Sequence, residues 1–256
     1  MSKTGKLSIV GLGPGDPDWI TPQALRALEQ ASDLVGYSTY LDLVPELANK
    51  PLRHSSGNRV ELDRSVEALD LALGGRNVVL VTSGDPGIFA MASAVWEVLD
   101  GEPARWAALE VEVVPGLSAM QAAAARAGAP LGHDFCVISL SDYHKSRKVI
   151  EHRLTHALQG DFVIALYNPA SLTRREMINR ALELAAEYRA AETPVIIARD
   201  MGRAGESHDI LALQDVDPQV IDMRTIVLIG STRSRVVERQ GGRTVYTPRT
   251  YQDEPV

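Results

Sequence analysis

The feature that most narrows the fold is an alternation of two periodicities. Strand-sized apolar runs recur at 6–10 (KLSIV), 77–81 (NVVLV), 109–114 (LEVEVV), 135–140 (FCVISL), 161–166 (DFVIAL), 194–198 (PVIIA) and 225–230 (TIVLIG). Helical spacing fills most of the gaps, most clearly over 22–31, 59–73, 88–99, 118–127, 147–158 and 173–190. Strands that alternate with helices form sheets covered by helices, so the pattern predicts an α/β protein. The glycine- and proline-rich step GAPLGHDF at 128–135 follows one complete series and precedes another. Two consecutive α/β domains are therefore expected, 1–128 and 129–240. Residues 241–256 hold two prolines and no periodicity, and are expected to form a tail or an arm packed on a partner.

Composition excludes several classes. With 256 residues, 45% hydrophobic and 23% charged, the chain has enough apolar material for a buried core and is neither disordered nor fibrous. A net charge of −7 argues against nucleic-acid binding through bulk electrostatics. The one cysteine, Cys136, cannot form an intrachain disulfide, nothing at the start resembles a signal peptide, and no apolar run approaches the ~20 residues of a membrane span. A cytoplasmic location is the expectation.

The glycine-rich segments carry the chemistry. After the first strand comes GLGPGDPDWIT, where Gly11 and Gly13 begin a dinucleotide fingerprint that fails at Asp16, the place of its third glycine. The helix also starts late, with Thr21 as a candidate N-cap and Pro22 at the first helical position. No lysine followed by serine or threonine comes after any glycine turn, which removes the P-loop reading. What remains is three small-residue loops at strand ends, GLGPGD, TSGDPG and VPGLSAM. Together they suit a cleft in which a small ligand touches backbone rather than side chains.

The segments GLGPGDPDWIT, SGDPGIF, VVPGLSAMQAAAARAGAPL, YNPAS and TIVLIG, in this order, resemble the ordered motifs of the tetrapyrrole methylases. These are S-adenosyl-L-methionine-dependent enzymes acting on corrin precursors and uroporphyrinogen. The resemblance covers residues 6 to about 235. VGYSTYLDLV, ISLSD, DFVIALYNPAS and ARDMGR resemble the branch that methylates C17 of precorrin-3B and contracts the ring, giving precorrin-4 in cobalamin biosynthesis. The chain departs from that branch at Lys145, Ser146 and Arg147, where Thr-Pro-Trp is usual, and at Leu172. By position, the resemblance implies cofactor contacts at Pro14, Ser83, Gly84, Asp85, Ile88, Ser118, Ala119, Tyr167, Asn168, Met201, Thr225 and Ile226. It also implies a cofactor cleft between the two α/β domains, a homodimer and the product S-adenosyl-L-homocysteine. Tyr246 and Tyr251 are candidates for packing across the twofold axis.

A sulfonium methyl is already a strong electrophile, so alignment is the main task in methyl transfer and no catalytic nucleophile is needed. Ring contraction also requires a proton to leave a hydroxyl, for which a general base helps. Uroporphyrinogen-type relatives carry an aspartate after the early tyrosine, but here Tyr37 is followed by Ser38, leaving Tyr40 and His54 as candidates. The substrate's acetate and propionate groups call for cations, and Arg53, Arg59, Lys145 and Arg147 are the candidates. His152 and His156 lie one helical turn apart but lack a third ligand in the sequence, so no metal is expected. Two other readings stay open. One is another member of the same superfamily, methylating a different corrin position or an RNA 2′-hydroxyl. The other is a non-catalytic small-ligand binding module.

Overall fold

Each apolar run forms a strand in the computed structural model, which describes residues 5–57, 60–171 and 174–251. The first unit, which ends at Ala119, is built on a sheet ordered β3-β2-β4-β1-β5. Its strands are β1 (Lys6–Gly11), β2 (Asp33–Tyr37), β3 (Leu52–Ser56), β4 (Asn77–Thr82) and β5 (Glu110–Val114). All neighbours pair in parallel. The helices are α1 (Pro22–Gln30), α2 (Ser38–Leu41), α3 (Glu61–Leu73), α4 (Met91–Gly101) and α5 (Pro103–Trp106).

β4 shows why its sequence has no polar break. Val78 and Leu80 pack with Leu69 of α3 and Val95 of α4 in one core, while Val79 and Val81 pack with Leu28 of α1 and Leu41 of α2 in the other. A central parallel strand is buried on both faces and reads as a continuous apolar run. Thr21 caps α1 as the sequence suggests, its Oγ1 accepting from the Ala24 amide at 3.1 Å with Pro22 at the first helical position. The run 88–99 turns helical only at Met91, because Phe89 lies at φ +52° and Ala90 is extended.

The second unit begins at Met120. Its main sheet, β10-β9-β11-β8-β7, comprises β7 (Phe135–Ser139), β8 (Val163–Tyr167), β9 (Pro194–Arg199), β10 (Ser207–Ala212) and β11 (Thr225–Ile229). Only β7 and β8 pair in parallel; the other pairs are antiparallel. Helices α7 (Arg147–Gln159) and α8 (Glu176–Tyr188) bury Ile150, Leu154, Ile178 and Leu184 against Ile164, Val195 and Val227. A small third sheet joins the hairpin of β12 (Arg235–Arg239) and β13 (Gly242–Tyr246) to β6 (Gly128–Ala129), which directly follows α6 (Ala119–Ala127).

Two expectations about organisation shift here. The division lies between Ala119 and Met120, ahead of residue 128, because β6 pairs with β13 and draws its preceding helix into the second unit. Residues 241–251 do not form a structureless tail. They contribute β13, and Tyr251 beyond it donates to Asp161 at 2.6 Å. Among the described residues, no helix is long and apolar enough to cross a membrane.

Candidate functional site

Three chain crossings meet at the C-terminal edge of the parallel sheet. The loops that follow β1, β4 and β5 pack backbone against backbone. Gly13 and Gly84 form an antiparallel bridge, with N–H···O distances of 2.8 and 3.3 Å. A Cβ added at Gly11 would stand 2.5 Å from the Gly84 carbonyl oxygen, and one at Gly116 would overlap the same atom. Close approach therefore explains both glycines. Gly84 differs: it lies at φ +71°, and an added Cβ would meet nothing within 4 Å. Its free face looks onto open space. Asp85 laces the loops, Oδ1 accepting from the Gly87 amide at 2.8 Å and Oδ2 from the Gly116 amide at 3.1 Å. Around this knot Pro14 and Ser118 are buried, Ser83 and Ile88 are half-buried, and Ala119 opens α6.

The second unit gathers its own candidates at one end of its main sheet. Tyr167 ends β8, and Thr225 and Ile226 begin the antiparallel β11. The register of Val227 on Leu166 and of Thr225 on Arg199 puts them beside the turn that carries Met201. The Tyr167 hydroxyl accepts from the Met120 amide at 3.1 Å. Asn168 sits at φ +51° and donates from Nδ2 to Ser139 Oγ at 3.0 Å, which orients its amide. Thr225 Oγ1 donates to Asp222 at 3.0 Å. Buried Met201 follows Asp200, whose carboxylate holds Arg224 at 2.6 Å.

The catalytic candidates part company. His54 lies on β3, and its Nε2 is 2.8 Å from Oδ1 of Asp33, with Glu67 3.6 Å from Nδ1. Asp33 is the first residue of β2, so this contact lies toward the N-terminal end of the sheet, away from the glycine loops. Asp33 is wholly buried and also accepts from Arg76 and Ser32. Burial pushes its carboxyl up, but the bonds from Arg76, Ser32 and His54 outweigh that and hold it below the usual range. Nε2 of His54 is thus held by a buried carboxylate. Tyr40, on α2 just beyond the C-terminal end of β2, is at the loop edge, with its ring 5.3 Å from that of Tyr37.

The expected substrate cations also divide. Arg147 pairs with Asp142 at 3.1 Å and with Glu176, so it is neutralised within its own unit. Asp142 is held low chiefly by Arg174, with Arg147 adding to it. Lys145 is half-buried, and burial with Arg153 nearby lowers its pKa. Arg53 is exposed and donates to the Leu41 carbonyl at 3.1 Å, and Arg59 lies outside the described residues. The rings of His152 and His156 are 4.2 Å apart, and among the described residues no group of three metal-ligating side chains occurs. Burial pushes the Cys136 thiol up to about 11, which leaves it unreactive near neutrality.

Sequence reasoning missed one cation, Arg64 on α3, which is only 5% exposed. Its signal was its place one turn before Ala68 and two before Ala72, on the helix's buried stripe.

The family model of the tetrapyrrole (corrin/porphyrin) methylases matches residues 6–217. A Sinorhizobium sp protein named precorrin-3B C(17)-methyltransferase is 47% identical over 97% of this chain and 98% of its own. The cobalamin biosynthesis protein CobIJ of Mycobacterium bovis is 45% identical over 98% of this chain, which spans 49% of that longer protein. The crystal structure of the methyltransferase CobJ superposes with a TM-score of 0.89 at 45% identity, covering 95% of this chain and all of that one.

Proposed function

Because this chain belongs to the tetrapyrrole (corrin/porphyrin) methylases, we propose that it methylates C17 of precorrin-3B and contracts the ring, giving precorrin-4 in cobalamin biosynthesis. The methyl donor in this reading is S-adenosyl-L-methionine, which supplies an electrophilic sulfonium methyl. The observation that carries the reading is the loop knot with its one open face at Gly84. A Cβ there would fill free space instead of striking protein, which fits a cradle for a ligand laid against backbone.

In this reading Pro14, Ser83, Gly84, Ile88, Ser118 and Ala119 are the donor's contacts on the glycine loops. Tyr167, Asn168, Met201, Thr225 and Ile226 are further contacts that the family resemblance implies. Asp85 serves by keeping the loops laced, since both its oxygens already accept from backbone amides. Holding both reactants in near-attack geometry lowers a bimolecular barrier by about 7–11 kcal/mol, so methyl transfer needs no nucleophile from the chain. For the contraction, Tyr40 is the residue whose phenol oxygen accepts a hydrogen bond from the substrate hydroxyl while passing its own proton on to solvent, so that the hydroxyl proton is relayed away. The protein works as a homodimer in the cytoplasm, and light scattering at micromolar concentration should give twice the chain mass.

The test is incubation of purified protein with S-adenosyl-L-methionine and a C20-hydroxylated precorrin-3B, followed by mass and absorbance analysis. A product with one added methyl and a contracted-ring spectrum is expected, together with S-adenosyl-L-homocysteine binding by calorimetry. Failure of both overturns the reading. RNA methylation is disfavoured by the net charge of −7, and tight RNA binding with steep salt dependence would restore it.

A further inference from the structure

Arg64 is a buried cation with no counter-charge among the described residues of the first unit. Its Nε donates to Ser56 Oγ at 2.8 Å, one terminal nitrogen donates to the Gly57 carbonyl, and the other lies 3.6 Å from the Met91 sulfur. Among the described residues, no carboxylate comes within ion-pair distance. Glu61 and Glu67 act on it only from farther away, and burial lowers its pKa. A guanidinium taken from water is costly unless it is paired and fully hydrogen-bonded, and a thioether is a weak acceptor. The buried carboxylate at the other end of this sheet, Asp33, is met by both Arg76 and His54.

The place of Arg64 matters as much as its state. Ser56 ends β3, Gly57 follows it, and Met91 opens α4 directly after the TSGDPG loop. Tyr37, the last residue of β2, pairs in register with Ser56, and Tyr40 follows it on α2. All of these lie at the C-terminal edge of the parallel sheet, where ligands bind in open α/β sheets.

We infer that Arg64 is the receptor for one peripheral carboxylate of a polycarboxylate macrocycle, placed to anchor that macrocycle beside Tyr40. The inference rests on the proposed function and names a recognition residue for its substrate. Charge-assisted Arg–carboxylate pairing is directional and bidentate, so one such anchor fixes the macrocycle's rotation as well as its affinity.

The experiment compares wild type with Arg64→Met and Arg64→Lys. Uroporphyrin, an octacarboxylate, is the fluorescent binding probe; KM and kcat are measured on the precorrin, and S-adenosyl-L-homocysteine affinity and Tm are followed as controls. Arg64→Met should weaken uroporphyrin binding and raise KM by about thirty-fold or more, with the homocysteine affinity kept. Arg64→Lys, which keeps the charge but loses the fork, should fall between the two. A folded Arg64→Met with unchanged KM and probe affinity overturns the inference. So does an Arg64→Lys that keeps wild-type KM when the methionine variant fails to fold, since Arg64 is then a clamp on Ser56 and Gly57. Wild-type protein that neither methylates the precorrin nor binds the homocysteine brings down the proposed function instead.

Discussion

The two ends of the first unit's sheet are built on opposite rules. Toward the N-terminal end, charge is closed on itself: Lys6 bridges Glu110 and Glu112 at 3.1 and 3.0 Å, Ser8 donates to Glu112 at 2.7 Å, and Asp33 gathers Arg76, Ser32 and His54. At the C-terminal end, three loops meet through bare backbone, Gly84 faces open space, and Arg64 has no carboxylate within ion-pair distance among the described residues. The same strands enter both ends, so strand sequence does not explain the contrast. An end whose polar groups satisfy one another holds the fold together, and an end that leaves donors and space unfilled is shaped for a ligand.

The sharpest way to break the contrast is at Asp33. Replacing it with alanine strands Arg76 and His54 around a hole, and breaking a buried pair costs about 3–5 kcal/mol. Denaturant unfolding should show that loss at pH 7, while any protein that remains folded keeps its S-adenosyl-L-homocysteine affinity. The pH dependence has a fixed sign. The folded carboxyl titrates below its ordinary value of 3.8, so its contribution is full above 3.8 and disappears as pH falls through the lower folded value. The stability gap between wild type and variant should therefore narrow only in acid. A gap that narrows as pH rises contradicts the assignment.

Gly116→Ala comes next. Its new Cβ would overlap the Gly84 carbonyl, which belongs to backbone and cannot swing away. Overpacking of this kind costs about 1–3 kcal/mol, and here the strain falls on the ligand edge itself. The Tm should drop, and homocysteine binding should weaken beyond what the lost stability accounts for. Wild-type binding in this variant would mean that the knot does not shape the site.

Much of this was legible in the chain, and the omissions have physical causes. Central strands announce themselves because both faces are buried, as in Val78–Val81, and α1 is announced by Thr21 and Pro22. β3, with Leu52 exposed and LRHSS otherwise polar, is an edge strand with no apolar run to read. β12 and β13 form a largely exposed hairpin, and the pairing of β13 with β6 joins residues more than a hundred positions apart, which no local window contains. The glycine loops were visible as a set, but not which glycines serve packing and which one faces space. That distinction depends on the Gly84 carbonyl oxygen, contributed by another loop. His54 looked like a base because its loop is polar. Its partner Asp33 is 21 residues away, on the neighbouring strand.

Gly84→Ala isolates the ligand side of the comparison. The added methyl meets no protein atom, so the structural cost is that of a left-handed φ, about 1–2 kcal/mol. In the proposed site, however, the methyl occupies the space assigned to the donor. Homocysteine affinity should fall steeply while the Tm falls little, the reverse of the Asp33→Ala pattern. Equal affinity in this variant removes Gly84 from the site.

The smallest effect is expected at His54, and it decides which end of the sheet that residue serves. His54→Ala removes one hydrogen bond from Asp33, which keeps its bonds from Arg76 and Ser32, and the imidazole is already 25% exposed. A bond of that kind contributes about 1 kcal/mol net, so the Tm should fall slightly. Loss of a general base, by contrast, slows the step it serves by about 10²–10⁴-fold. Because His54 points toward the closed end, His54→Ala should transfer the methyl and contract the ring at wild-type rates. Tyr40→Phe should transfer the methyl but accumulate an uncontracted macrocycle, visible by its absorbance. Methyl transfer serves in both variants as the control for folding and cofactor binding. If His54→Ala stalls at the uncontracted macrocycle while Tyr40→Phe does not, the imidazole must leave Asp33 during the reaction, and the separation of the two ends no longer holds.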